Sequence, residues 1–180
     1  MKTFKNIVVI ALAFFGVVYS FSSCQQNNPQ PNPAPSGSSL QWTVNINGQT
    51  YSWQGSYPDD MSGGSATAAT SPIVQANIVG VLNASPQKML TIALPVYGTG
   101  TFVLNQSNYA NNNAFAFSEN GNQNIYSNAY GGSVTVNVTS FPAAVYGVIS
   151  GTFSGTIGKS PALGGGTTTI SGSFDVLRSN

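Results

Sequence analysis

Histidine is absent from this chain of 180 residues, and cysteine occurs once, at Cys24. Without an imidazole, neither a Ser-His-Asp nor a Cys-His site has its proton carrier. Zinc and copper sites lose their usual ligands for the same reason. Charge is scarce as well. Asp, Glu, Lys and Arg make up 5% of the chain, against ~25% in ordinary globular proteins. Lys2 and Lys5 lie in the leader, which leaves Lys88, Lys159 and Arg178 against Asp59, Asp60, Glu119 and Asp175. A nucleic-acid partner needs a basic face to neutralise phosphates, and three cations among four acids do not make one. No P-loop is present either, since Gly164-Gly165-Gly166 runs into Thr167 without the required lysine. No catalytic constellation, metal site or cofactor is therefore expected. What polarity there is comes from Asn, Ser, Thr and Gln.

The leader is explicit. Met1-Lys2-Thr3-Phe4-Lys5 is a short basic segment, and 6–19 is dominated by Ile, Val, Ala, Leu and Phe. That length suits a signal peptide and falls short of a comfortable membrane span. Phe21-Ser22-Ser23-Cys24 follows. An apolar residue, two small residues and a cysteine resemble the lipobox of bacterial lipoproteins, in which the signal is cut before the cysteine and its thiol is acylated. An ordinary signal peptide cut after Ser22 or Ser23 would leave a free thiol, and with no second cysteine no disulfide could use it. Two or three acyl chains give stable anchoring where one is marginal. Pro29, Pro31, Pro33 and Pro35 among Gln, Asn, Ser and Gly then read as an extended tether. The expected organisation is a signal peptide over 1–23, a lipidated Cys24 with its tether over 24–39, and one β domain over 40–180. The resemblance implies the bacterial outer membrane as the address. No acidic cluster follows Cys24, and that favours the periplasmic face over the cell surface.

Beyond the leader no stretch has an apolar 3.6-residue period. Short alternating runs recur instead, punctuated by Gly, Asn or Pro, the pattern of half-buried strands. Asn47-Gly48 between two alternating runs predicts a type I′ hairpin, with Trp42, Val44 and Ile46 on one face and Tyr51 with Trp53 on one face of the return strand. The segment 55–71 reads as a loop. Strands are expected at 73–82, 88–94 and 101–104, and a second hairpin from 114–117 to 124–126 turns at Asn120-Gly121-Asn122. Another strand runs over 133–138 after Gly131-Gly132. Last, Ile149-Ser150-Gly151-Thr152-Phe153 returns as Ile170-Ser171-Gly172-Ser173-Phe174. These two runs predict a closing hairpin that forms a core edge, with Ile149 opposite Phe174, Gly151 opposite Gly172 and Phe153 opposite Ile170. The facing glycines would leave a gap for a large side chain from elsewhere. The fold class is all-β, an antiparallel sandwich or barrel of about eight to ten strands.

The order of these pieces resembles a family of small β-rich lipoproteins of unknown function from Bacteroidetes. The resemblance covers most of 40–178. It rests on the lipobox, Asn47-Gly48-Gln49-Thr50-Tyr51-Ser52-Trp53, Gly100-Thr101-Phe102-Val103-Leu104, Gly132-Ser133-Val134-Thr135-Val136 and the closing repeat. It implies a location and a fold, and no mechanism.

Function is left to three readings. Aromatic faces beside amides suit sugar rings, and Tyr57, Tyr109 and Tyr130 fall where loops are expected, so they are the candidate residues of a non-catalytic module for a carbohydrate or other neutral ligand. Trp42, Tyr51, Trp53 and Tyr126 fit core or cross-strand roles. The second reading is a structural or interaction subunit that meets another envelope protein through a sheet edge or apolar patch. The third is a glycosidase, which needs two carboxylates about 5–10 Å apart. Asp59, Asp60, Glu119 and Asp175 are its only candidates, and solvated surface acids account for all four. A calcium site at Asp59 and Asp60 lacks the dense Asp-x-Asp pattern such sites use.

Overall fold

The computed structural model describes residues 38–57, 59, 63–69, 75–82, 87–95, 98–109, 113–119 and 125–179. The leader, Cys24, most of the tether, Asp60 and the turn at 120–122 lie outside them. Among the described residues no helix is long and apolar enough to cross a membrane. The described residues form ten strands in chain order: β1 (Ser39–Ile46), β2 (Gln49–Ser56), β3 (Gly64–Ala69), β4 (Gln75–Leu82), β5 (Lys88–Leu94), β6 (Gly100–Asn105), β7 (Ala114–Ser118), β8 (Ile125–Ser140), β9 (Val148–Lys159) and β10 (Thr167–Arg178). Seven of them close a ring, β10-β3-β4-β5-β7-β8-β9 and back to β10. The choice between sandwich and barrel thus falls to the barrel, with β1–β2 and β6 added outside the ring.

The long strands make this possible, because each serves two neighbours along one side. β9 runs the length of one side of β8, while the other side pairs with β7 at 125–127 and with β6 at 133–138. β10 likewise keeps β9 on one side and exchanges β1, opposite 170–175, for β3 at Leu177 and Arg178. Hence β6-β8-β9-β10-β1-β2 forms one continuous wall of six strands, and β3-β4-β5-β7 closes the ring behind it. The β3–β10 pair is parallel and every other pair is antiparallel.

Alternation dictates which residues fill the interior. Leu40, Trp42, Val44 and Ile46 of β1, Leu90, Ile92 and Leu94 of β5, and Val134, Val136 and Val138 of β8 are all buried. Asn47 and Gly48 both take positive φ, 52° and 74°, as the hairpin turn between β1 and β2 requires.

The closing hairpin forms, but its register is two residues from the expected one. Gly151 faces Phe174, and Phe153 faces Gly172. A slip of two preserves the faces, so the same residues point inward. The reason lies in volume. Two facing glycines would leave a hole, whereas the observed register lays a ring over each glycine. A Cβ on Gly151 would sit 2.5 Å from the Phe174 ring, and one on Gly172 would sit 2.4 Å from the Phe153 ring. Phe153 then meets Phe115 at 4.9 Å between ring centres, within the favourable range for tilted aromatic pairs. The hairpin is also no edge, because β9 lies between β8 and β10, and β10 between β9 and β1.

Two other expectations change. Part of the supposed loop 55–71 is β3, a strand of small residues. Its surroundings leave little room: a Cβ on Gly64 would come within 2.9 Å of Val176, and the two tryptophans close in on the glycines beside β3. A Cβ on Gly63 would overlap Trp53, at 1.9 Å, and one on Gly80 of β4 would come within 2.9 Å of Trp42. The indole N–H of Trp42, fully buried, donates to Gly63 O at 2.8 Å. Second, Gly131-Gly132 does not separate two strands. With φ of 114° and 81°, the pair bends β8 through a bulge between Ser127 and Gly132, at the place where β8 trades β7 for β6.

Replacing Gly172 by Ala is expected to cost about 1–3 kcal/mol or more, because the new methyl would meet Thr43 O at 2.0 Å as well as the Phe153 ring. Thr152→Ala, at an exposed position on the opposite face of the same hairpin, should stay within about 0.5 kcal/mol. Urea denaturation of both variants decides the matter, and equal midpoints would refute the ring-on-glycine account.

Candidate functional site

The three tyrosines expected at a ligand site do not assemble. Tyr57, at the end of β2, is 9% exposed and belongs to a small cluster with Leu40 and Leu177, its ring 5.7 Å from that of Tyr146. It is a core residue, not a platform. Tyr130 lies within β8, in the bulge, rather than in a loop. Tyr109 is half-buried, and its phenol is pushed above its ordinary value by burial and then by the neighbouring Tyr130. Tyr109 and Tyr130 therefore come together, while Tyr57 is remote. Val148, which packs on the Tyr57 cluster, and Gly158, which lies under Tyr130, are ten residues apart on β9, or roughly 30 Å at 3.3 Å per residue.

Glu119 and Asp175 are far apart as well. Glu119 is bonded to Tyr126, which pairs with Lys159 of β9, whereas Asp175 pairs with Ser150 of the same strand. Nine residues of strand separate those positions, again roughly 30 Å, far beyond the span of a glycosidase pair. Asp175 accepts from the Gln41 amide at 2.9 Å. Asp59 is exposed, and Asp60 lies outside the described residues. Among the described residues no three of His, Cys, Asp and Glu gather.

One polar cluster escaped the sequence reading. Glu119 takes hydrogen bonds from the Tyr51 hydroxyl at 3.0 Å and the Tyr126 hydroxyl at 3.3 Å. Gln49 also meets the Tyr51 hydroxyl. Asn47 donates to the Tyr126 oxygen at 2.8 Å and accepts from Thr168 at 2.7 Å. The cluster thus ties the β1–β2 turn to β7, β8 and β10. Tyr51 is pushed up to about 12, first by burial and then by its bond to the Glu119 carboxylate. Tyr126 is pushed up as well, by burial first and then by the Glu119 charge. The Tyr51 ring lies 5.2 Å from Phe117, with the Lys88 ammonium 5.4 Å from its centre. Its partners are already in place, so the cluster is a clamp at one end of the barrel rather than an open ring for a sugar.

A second polar element organises the asparagine-rich segment. Asn128, in the β8 bulge, is fully buried. Its carbonyl accepts from Phe115 N at 2.9 Å, and its amide donates to Asn113 O at 2.9 Å and Asn105 O at 3.1 Å. Nearby, Asn108 stands in for a neighbouring strand along β6. Its carbonyl accepts from Asn105 N at 2.9 Å and its amide donates to Val103 O at 2.7 Å. This covers backbone groups of a terminal strand that would otherwise invite pairing.

The outer face of the six-stranded wall carries two neighbouring rows of neutral side chains, with Asp175 in the row beside them, bonded to Gln41. Thr101 of β6, Asn137 of β8, Thr152 of β9, Ser173 of β10, Thr43 of β1 and Ser52 of β2 stand in one register row. The next row holds Thr135, Ser154, Ser171, Asn45 and Thr50, with Val103 at its β6 end. These twelve positions carry no charged residue. Ser and Thr hydroxyls and Asn amides each donate and accept, so the face can bond neutral hydroxyl groups in either polarity. The alternation of Ser, Thr and Asn in β8, β9 and β10 was the available signal for it. Comparison with protein families, with curated proteins and with solved structures finds no match for this chain.

Removing the Asn128 amide takes the side-chain partner from the buried Phe115 N–H, at about 1–3 kcal/mol when such a group is left unsatisfied, and one donor each from the part-buried carbonyls of Asn113 and Asn105. Asn128→Ala should therefore lower unfolding free energy by roughly 1–3 kcal/mol in urea, and a loss below about 0.5 kcal/mol would show that the amide does not pin the segment. The phenols set an alkaline limit. A phenol whose ionisation is pushed up on folding favours the folded chain fully below its ordinary value of 10.0, and that contribution disappears as pH rises through about 12. In an ultraviolet titration, Glu119→Gln should bring the Tyr51 transition down from about 12 towards 10 without reaching it, because burial remains. An unmoved transition would remove Glu119 as a cause.

Proposed function

We propose that this chain is a non-catalytic binding module for a neutral carbohydrate, held at the bacterial envelope through an acylated Cys24. The observation that carries the reading is the charge-free register of hydroxyls and amides across β6-β8-β9-β10-β1-β2. On a typical surface about one residue in four is charged. A neutral polyhydroxyl ligand loses no ionic hydration on meeting such a face, and it finds both donors and acceptors there. An anionic ligand finds no cation in these two rows, and the nearest charge on the face is Asp175, already bonded to Gln41. The lipobox, the tether and the resemblance to small Bacteroidetes lipoproteins support an outer-membrane anchor, with the periplasmic face favoured.

A second reading has its own observation. β2 ends the wall, pairs with β1 alone, and carries no proline or charged residue. Such an edge fits strand addition by another envelope protein.

The purified chain should be retained by at least one neutral polysaccharide in a pull-down panel. Ser154→Glu and Ser171→Glu, paired across β9 and β10, should weaken retention about tenfold or more with unchanged thermal stability, whereas Tyr57→Ala should act only through stability. Retention untouched by both charged variants would place the ligand elsewhere. No retention on any neutral polysaccharide would transfer the weight to a protein partner at the β2 edge.

A further inference from the structure

Two open depressions lie on the outer face of the wall. One, of about 330 Å³, is lined by Asn45 and Asn47 at the end of β1, Ser154 of β9, and Thr169 and Ser171 of β10. The other, of about 520 Å³, is lined by Asn105, Gln106, Ser107 and the Gly131-Gly132 pair. Both volumes lie within the range of small-molecule sites, and neither lining includes a charged residue.

They are joined by a row of the sheet. Asn105 of β6 pairs with Ser133 of β8, Ser133 with Thr156 of β9, and Thr156 with Thr169 of β10. Ser133 and Thr156 are both exposed, so the bridge between the depressions presents hydroxyls outward. The row therefore runs perpendicular to the strands, from the second depression to the first. Thr169 lines the first depression together with Asn45 and Asn47 at the end of β1, so the row reaches β1. At about 4.8 Å between strands, five strands span about 19 Å.

We infer, resting on the carbohydrate reading above, that the ligand is an extended neutral glycan of about four residues laid across the strands along Asn105–Ser133–Thr156–Thr169, its ends seated in the two depressions. The advance per residue of an extended β-linked glycan is close to one strand spacing, so each sugar meets a fresh hydroxyl or amide. The glycines of the β8 bulge belong to the same design, since side chains at 131 and 132 would stand in the second depression or strike β9. A Cβ on Gly132 would meet Thr156 O at 2.4 Å. No aromatic ring lines either depression, so affinity comes from hydrogen bonds accumulated along the chain and depends on ligand length.

The test is calorimetry of the purified full chain with β-1,4-linked gluco-oligosaccharides of two to six residues, alongside polysaccharide retention. Affinity should climb from two residues to about four and then level off. Thr156→Ala in the middle, Asn45→Ala at one end and Gln106→Ala at the other should each weaken the pentasaccharide about five- to tenfold. A disaccharide should feel at most one of the two end variants. A plateau at two residues, or sensitivity at one depression only, would overturn the track while leaving a carbohydrate site. Retention on polysaccharide with no gain between two and six residues would do the same. Failure of every oligosaccharide together with every polysaccharide would overturn the carbohydrate reading itself.

Discussion

In the middle of the long β9–β10 pair, two phenylalanines and two glycines exchange places across the strands. Phe174 lies over Gly151 and Phe153 over Gly172. Each ring fills space that its partner leaves empty, so any register that separates them costs both a cavity and a clash. Burying a phenylalanine stabilises by about 1.5–3 kcal/mol, and its loss from a core costs about 3–5 kcal/mol. Because β9 carries β8 and β10 carries both β1 and β3, the register set here propagates outward. It decides which hydroxyls align across the wall and where the bulge of β8 must fall for the ring to close.

Sequence and structure agree most closely where a feature is local. The Asn47-Gly48 turn needs positive φ at two adjacent positions, and few residue pairs supply that. The alternation of Trp42, Val44 and Ile46 needs no partner to be recognised. Agreement fails where a strand's identity depends on what packs against it. β3 reads as a loop because Gly, Ser, Ala and Thr carry no strand signal, yet Gly64 has little room for a side chain against Val176, as Gly63 and Gly80 beside it have little against Trp53 and Trp42. The glycines at 131 and 132 read as punctuation, whereas in the folded chain they bend a continuous strand.

The same divide runs through the site. Tyr57 looks like a loop aromatic because the glycine, proline and aspartates after β2 disguise how near it lies to Leu40 and Leu177. Glu119 looks like an isolated surface acid, since the tyrosines that bond it come from β2 and β8. The neutrality of the chain was plain in its composition. Its concentration into rows is a property of pairing, because a Ser in β9 gains a Ser in β10 and an Asn in β1 as neighbours only once the strands are in register.

β10 is the last strand of the chain, and three strands depend on it: β1, β3 and β9. Its partner β1 begins at Ser39, so the barrel is completed by contacts between the two ends of the domain. Contacts of such long sequence separation are slow to form. Without β10, β1 and β3 each present an unpaired edge, Phe153 has no glycine to cover, and Gly151 has no ring over it. A truncation that stops short of residue 167 removes the keystone of the barrel and leaves a set of hairpins without closure.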